Sequence, residues 1–315
     1  MYILGFDIGG TKCAVTTAQW DGKNIALLDK ASCPTDLSVT AEVMIDRLMA
    51  LADGILTGKP DKIGISCGGP LDSENGIILG PPNLPGWDHV EIVKQLQAHY
   101  GVSVKLQNDA NACAVAEWRF GAGKGTKNLV FLTFGTGLGA GLILDGRLYS
   151  GTNDNAGEVG HIRLDRFGPV GFGKAGSFEG FCSGGGISRL AVMMAKRRKT
   201  MPACIEKMGG YDGVTTKKLA EAAFAGDRFA KSVFNKSGEM LGKGLSLVID
   251  IINPERVVIG GVFMRSGALL IPAMQRVINK EALPDSAGVC EIVPAKLSEN
   301  VGDIAALAIA EGVSV

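Results

Sequence analysis

The chain has 315 residues, 46% of them hydrophobic and 20% charged, and its 32 basic and 32 acidic side chains cancel to zero formal net charge. A length of this order favours two domains over one core. That balance excludes a disordered chain and a polybasic nucleic-acid binder, and leaves a soluble globular protein. The most basic stretch, Lys196-Arg197-Arg198-Lys199, follows an apolar run and reads as a solvated helix end, so no nucleic-acid partner is expected. The seven cysteines are scattered, odd in number and free of any CxxC, which fits small buried side chains in a reducing compartment. No basic-then-apolar leader opens the chain, and the most apolar run, Leu245 to Ile252, contains Asp250 and is too short for a bilayer. A cytoplasmic protein without membrane contact is expected.

In chain order, residues 3–8 read as a strand, 9–10 as a glycine turn, 12–19 as a strand, and a third strand follows the hairpin signal Asp21-Gly22. Residues 38–57 show a helical period, with Met44, Leu48, Leu51, Ala52 and Ile55 on one face. "KIGISC" (62–67) is a buried strand, 90–99 a short helix, and 104–118 a strand running into an Ala-rich helix. A second hairpin-like set comprises "NLVFLTF" (128–134), a glycine turn, "GAGLIL" (139–144) and Asp145-Gly146. From residue 183 the pattern turns mainly helical, with a long helix over 228–252 that Asn253-Pro254 ends. "RVVIGG" (256–261) is a strand leading to a helix near 266–279, "CEIVPA" another strand, and 302–312 a closing helix. "ILGFDIGGTKCAV" and "VFLTFGTGLGAGLIL" share one plan, strand, Gly/Thr turn, strand, as two related halves would. Strands alternating with helices predict α/β architecture.

Forty-five glycines are the outlier, and they cluster at "DIGGTK", "SCGGP", "FGTGLGAG", "CSGGG" and "VIGGV", each beside a strand-like run. Such clusters suit backbone that approaches a ligand. A P-loop is excluded: the Gly-Lys pairs at Lys23, Lys59, Lys124, Lys174 and Lys243 are followed by Asn, Pro, Gly, Ala and Gly. A dinucleotide fingerprint on Gly135-x-Gly137-x-x-Ala140 fails because that motif must open a helix, and here it opens a strand. The reading left is a hairpin turn whose N–H groups and Thr hydroxyl cradle phosphates. Asp7, just before the first turn, could hold Mg²⁺ through water. Thr11 and Lys12, just after it, could reach phosphate oxygens. Tight turns and nothing more would explain one such hairpin more easily than two.

The junction "QNDANA" (107–112) puts Asn108, Asp109 and Asn111 between strand and helix. Helix capping explains an Asn or Asp there. A carboxylate held at a strand's C-terminal end, where open α/β sheets place ligands, explains it equally.

"DIGGTK", "NLPGW", "NDANACAVAEW", "FGTGLGAG", "AGEVGHI" and "VVIGG", in this order over nearly the whole chain, resemble the ROK family of bacterial sugar kinases and repressors. The resemblance implies a two-domain actin- and hexokinase-like (ribonuclease H-like) α/β fold with ATP and sugar in the cleft between the domains. The domains are expected at 1–118 plus 300–315, and at 119–299. Asp7, Gly9, Gly10, Thr11 and Lys12 would form one phosphate loop; Gly135, Thr136 and Gly137 would form the other, and Gly260 and Gly261 would lie near adenosine. Asp109 would be the catalytic base. Gly69, Asn83, Asn108, Glu158, His161 and Glu179 would join it in binding sugar. A hexose kinase acting on the 6-hydroxyl of glucose is implied, with an N-acetylhexosamine kinase or fructokinase as alternatives, ATP and Mg²⁺ as requirements, and a homodimer as the assembly. A repressor would carry a winged helix ahead of "DIGGT"; with Asp7 so near the start, none is expected.

One departure stands out. Many ROK proteins resemble one another in a zinc site built from a histidine in "GH" and C-x-C-G-x-x-G-C-x-E. Here the histidine is His161, the glycines and acid fall on Gly173, Gly176 and Glu179, and the thiolate positions fall on Val170, Phe172 and Ser177. One imidazole cannot hold a structural zinc. No zinc is expected, and apolar packing of Val170, Phe172 and Phe178 is expected to hold the 166–180 loop.

Overall fold

The computed structural model describes residues 1–297 and 301–311. The first elements are β1 (Tyr2–Ile8), β2 (Lys12–Trp20), β3 (Ile25–Pro34), α1 (Ala41–Ile55), β4 (Lys62–Cys67), β5 (Leu71–Asp72), β6 (Ile77–Ile78), α2 (Ile92–Tyr100), β7 (Ser103–Asn108) and α3 (Asp109–Phe120). They continue with β8 (Leu129–Phe134), β9 (Leu138–Leu144), β10 (Arg147–Tyr149), β11 (Val170–Gly171), β12 (Lys174–Ala175), α4 (Phe178–Phe181), α5 (Gly184–Lys196), α6 (Ala203–Lys207) and α7 (Thr216–Phe224). The last are α8 (Arg228–Ile252), β13 (Arg256–Ile259), α9 (Val262–Glu281), α10 (Pro284–Val289), β14 (Glu291–Pro294) and α11 (Val301–Ala310). The helix expected over 302–312 is α11, and residue 312 lies outside the described residues.

Two five-stranded sheets carry the chain, ordered β3-β2-β1-β4-β7 and β10-β9-β8-β13-β14. Each places its first strand in the middle, its second and third strands on one side and two later strands on the other, so the repeat read in the sequence is a repeat of topology. In the first sheet β1 pairs antiparallel with β2 and parallel with β4. Its interior strands are buried along nearly their whole length, because α1 packs on β2 and β3 while α11 packs on β1 and β4. α1 starts where Thr40 accepts a hydrogen bond from the Val43 N–H, and it buries Met44, Ile45, Leu48 and Ala52. α8 ends at Asn253 in a left-handed conformation just before Pro254.

The chain divides into two compact units, Met1–Phe131 with Gly141–Ala156 and Lys296–Val315, and Leu132–Ala140 with Gly157–Ala295. Expectation and structure part at the loop before α4. Val170 is 48% and Phe172 73% exposed, and Phe178 alone of the three is buried, so apolar packing does not hold the loop. Hydrogen bonds do. β11 and β12 form a short hairpin, Gly176 N–H donates to Pro169 O, and the amides of Leu164 and Asp165 donate to Gly176 O. Ser177 Oγ accepts from Gly180 N–H at 3.1 Å and donates to Gly171 O at 3.3 Å. A two-residue hairpin is too short to bury its own tip.

Candidate functional site

In the first unit, four segments meet at the C-terminal ends of β1, β4 and β7. The β1–β2 turn is closed by Gly9 N–H donating to Lys12 O at 3.2 Å. Thr35 at the end of β3 braces it, donating from Oγ1 to Gly9 O at 2.6 Å and from N to Thr11 O at 3.0 Å. Loop 80–87 is anchored by buried Leu84 and Trp87, which leaves exposed Asn83 between them and the turn. Asn83 lies so close to Gly10 that any side chain there would run into Asn83 O. The loop after β4 comes next: Asn83 Oδ1 is 3.4 Å from the place a side chain would take on Gly68, and Asn108 Nδ2 is 3.1 Å from that place on Gly69.

The β7–α3 junction answers the question its sequence posed. Asn108 is the cap, its Oδ1 accepting from Ala110 N–H at 3.0 Å. Asn111 is buried and donates to Gln107 Oε1 at 3.2 Å, so it faces the interior. Asp109 is superfluous as a cap. Its residue surface is exposed, as a group that meets a substrate must be, while the protein packed around its carboxylate raises its pKa by desolvation, against a lowering bond from Ala110 N–H at 2.7 Å.

Asp7 is pushed up to about 6, first by burial, then by the charges of Asp303 and Asp109, with Lys30 and Lys12 opposing. Its Oδ2 lies against Gly302 in α11. Asp303, 5% exposed, accepts from Lys30 Nζ at 2.5 Å and from Thr16 Oγ1 at 3.4 Å. The sequence reading missed Asp303 and Thr35. A lone acid in the apolar run of α11 was a signal for the first; nothing marked the second. It also missed Glu117, buried on α3, whose Oε1 accepts from the amides of Lys296 and Leu297 at 2.9 and 2.8 Å. Its Oε2 accepts from Ala122 N–H at 2.7 Å, so the helix carrying Asp109 is tied to the segment that leads to α11.

In the second unit, the β8–β9 turn spans Gly135, Thr136 and Gly137, and Gly184 N–H donates to Gly135 O at 2.8 Å. Gly261 abuts the same turn. It has φ +62, and any side chain on it would strike Phe134 O. These two glycines open α5 and α9, so two helix N-termini, each with a partial positive charge, converge on the turn. The sequence "CSGGG" shows a glycine cluster but nothing that ties it to the β8–β9 turn. Gly260 N–H donates to Leu132 O at 3.0 Å, placing the β13 end beside β8.

Glu179 Oε2 accepts from Leu138 N–H at 3.1 Å, at the start of β9. Gly157 O accepts from Ala140 N–H at 2.8 Å, which lays the "GEVGH" loop along that strand. Glu158 and His161 are exposed on it, so His161 is not a core histidine. The structure thus gathers Asp7, Gly9, Gly10, Gly69, Asn83, Asn108 and Asp109 in one unit, with Thr11 and Lys12 exposed on the turn. It gathers Gly135, Thr136, Gly137, Glu158, His161, Glu179, Gly260 and Gly261 in the other.

The ROK family model matches residues 3–313. The chain belongs to the ROK family. It is 32% identical to a glucokinase of Thermotoga maritima over 98% of this chain and 96% of that one. It is 31% identical to an N-acetylmannosamine kinase of Shigella flexneri over 87% and 88%. Among solved structures, a ROK glucokinase from Streptomyces griseus in complex with glucose and AMPPNP superposes with TM-score 0.80 at 29% identity, over 99% of both chains. The α/β fold of this ROK protein is accordingly the two-domain, actin- and hexokinase-like fold of these kinases.

Proposed function

We propose that this ROK protein is an ATP-dependent sugar kinase that transfers the γ-phosphoryl group to the 6-hydroxyl of a hexose, glucose foremost. The observation that carries the reading is Asp109: an acid with exposed residue surface, its pKa raised by the protein packed around its carboxylate, fixed at the first residue of α3 and not needed as a cap. A sugar hydroxyl that attacks the γ-phosphorus must lose its proton, and a carboxylate with a raised pKa accepts it better than an ordinary one. The rest of the task is positioning. Asn83, Asn108, Glu158, His161 and Glu179 supply donors and acceptors for hydroxyls. The turn at Gly135–Gly137, faced by two helix N-termini, suits phosphate oxygens.

Mg²⁺ fits the residues present. Asp7 is an acid whose burial and like-charged neighbours disfavour its ionised form, which a cation would relieve. Among the described residues no three His, Cys, Asp or Glu side chains are grouped to hold an ion alone. Asp7 would therefore hold Mg²⁺ through water, and the ion would supply charge neutralisation for the phosphate oxygens.

Similarity to both a glucokinase and an N-acetylmannosamine kinase makes the group at C2 the open choice. A coupled ADP-release assay over glucose, mannose, fructose, N-acetylglucosamine and N-acetylmannosamine decides it. The highest kcat/KM is expected with glucose. A preference for an N-acetylated sugar would replace the hexose reading with the second one, and ADP release with none of them would overturn the kinase proposal.

A further inference from the structure

The zinc pattern of the family does not fit the residues around His161. At the three thiolate positions stand Val170, whose side chain is exposed, Phe172, and Ser177, whose hydroxyl is committed to Gly171 O and Gly180 N–H. The nearest cysteine in sequence, Cys182, is fully buried and donates to Ser237 O at 3.5 Å. Something else must orient an exposed imidazole that has rotational freedom of its own.

The β11–β12 hairpin supplies a candidate. Gly171 pairs with Lys174, so Phe172 and Gly173 form a two-residue turn, and both have positive φ, +44 and +73. That is the signature of a type I′ turn, whose ordinary first residue is Asn; a bulky residue with positive φ is a genuine outlier. The Phe172 ring is 73% exposed, so burial does not account for its being there. What it touches does. Its centroid lies 6.0 Å from that of His161 at an interplanar angle of 76°, an edge-to-face pair. Two residues on, Lys174 Nζ donates to His161 O at 2.8 Å, so the same hairpin holds both the ring and the backbone of His161.

We propose that Phe172 is a positioning residue that orients His161 toward the substrate hydroxyls by ring contact, at a place where the zinc pattern of the family is missing. The inference rests on the reading of His161 as a sugar-binding residue. A ring contact of this kind constrains the imidazole plane without a hydrogen bond to either nitrogen.

Phe172→Asn is the informative variant, because Asn-Gly is the preferred sequence for this turn. It removes the ring while favouring the hairpin, so the melting temperature should hold or rise. The KM for hexose should increase about 2- to 10-fold, the range an edge-to-face pair supports, with kcat and the KM for ATP unchanged. Phe172→Trp should restore it. In a His161→Ala background Phe172→Asn should have no further effect on the hexose KM, since the two act as one unit. Independently of activity, the chain has three histidines, so the ring protons of His161 can be resolved by NMR and should shift when Phe172 is removed. An unchanged hexose KM in Phe172→Asn, together with a raised one in His161→Ala, overturns the positioning role. No effect of His161→Ala would instead remove the sugar-binding reading beneath it. One zinc per chain in protein purified without added metal would overturn the reading that the zinc site is missing.

Discussion

The two glycine turns are built on one plan and differ in charge. In the first, Asp7-Ile8 precedes Gly9; in the second, Thr133-Phe134 precedes Gly135. The acid's counterpart is a hydroxyl turned inward, Thr133 Oγ1 accepting from Gly139 N–H at 3.0 Å within its own hairpin. Around the first turn stand carboxylates, Asp7, Asp109 and Asp303, held up in pKa or paired with Lys30. Around the second stand the N-termini of α5 and α9. Under the proposed function, one strand-turn-strand plan serves a cation and a proton at the first turn and anions at the second. The hairpin supplies only the backbone, and the neighbouring elements decide its chemistry.

The sharpest way to break that division is at the proton. Asp109→Asn should lower kcat by about 10²–10⁴, the usual contribution of a positioned general base. Hexose binding, followed by calorimetry, should persist, because the amide still bonds a hydroxyl and Asn108 remains the helix cap. Near-normal turnover would leave Asp109 with no function beyond starting α3.

Exchanging glycine for alanine separates the turns by substrate. Gly10→Ala would push against Asn83 O and Cβ, so it should raise the KM for hexose as well as for ATP. Gly261→Ala would drive a methyl group into Phe134 O at a backbone angle that costs about 1–3 kcal/mol, and it should raise the KM for ATP alone and lower the melting temperature. Steady-state kinetics with each substrate varied in turn checks both. A rise in the hexose KM for Gly261→Ala would mean that the second turn is not confined to phosphate.

What could be read in the sequence was what the chain encodes locally. β1 and β2 announce themselves by apolar runs either side of Gly9-Gly10, and Asn253-Pro254 ends α8 as a left-handed cap must. The environment of each turn could not be read that way, because it is assembled from distant segments. Asp303 finds Lys30 across 273 positions, and Glu117 reaches Lys296 across 179. Thr35 braces the Gly9 carbonyl from the far end of a strand with no pattern to mark it. The 170–175 hairpin defeated the packing expectation for a related reason. Hydrophobicity alone predicts packing for its residues, but a turn with two positive φ angles sends Phe172 outward whatever its affinity for water.

The smallest expected effect concerns Asp7 without metal. Its pKa of about 6 in the folded protein lies above the ordinary 3.8. Between those values the native state keeps a proton that the unfolded chain has lost. Stability owed to this group is therefore present at low pH and declines as pH rises through that window, reaching its full loss above about 6. Asp7→Asn stays neutral throughout. In the presence of a chelator it should raise the melting temperature at about pH 7.5, lose the advantage steadily as the pH falls, and match the parent near pH 4. The second turn offers the control. Thr133→Val also removes a polar group just before a glycine turn, but one already bonded inside its hairpin, so it should destabilise to a similar degree at both pH values. A pH-independent gain for Asp7→Asn would show that the side chain is cramped rather than charged, and the electrostatic contrast between the two turns would then rest on the helix N-termini alone.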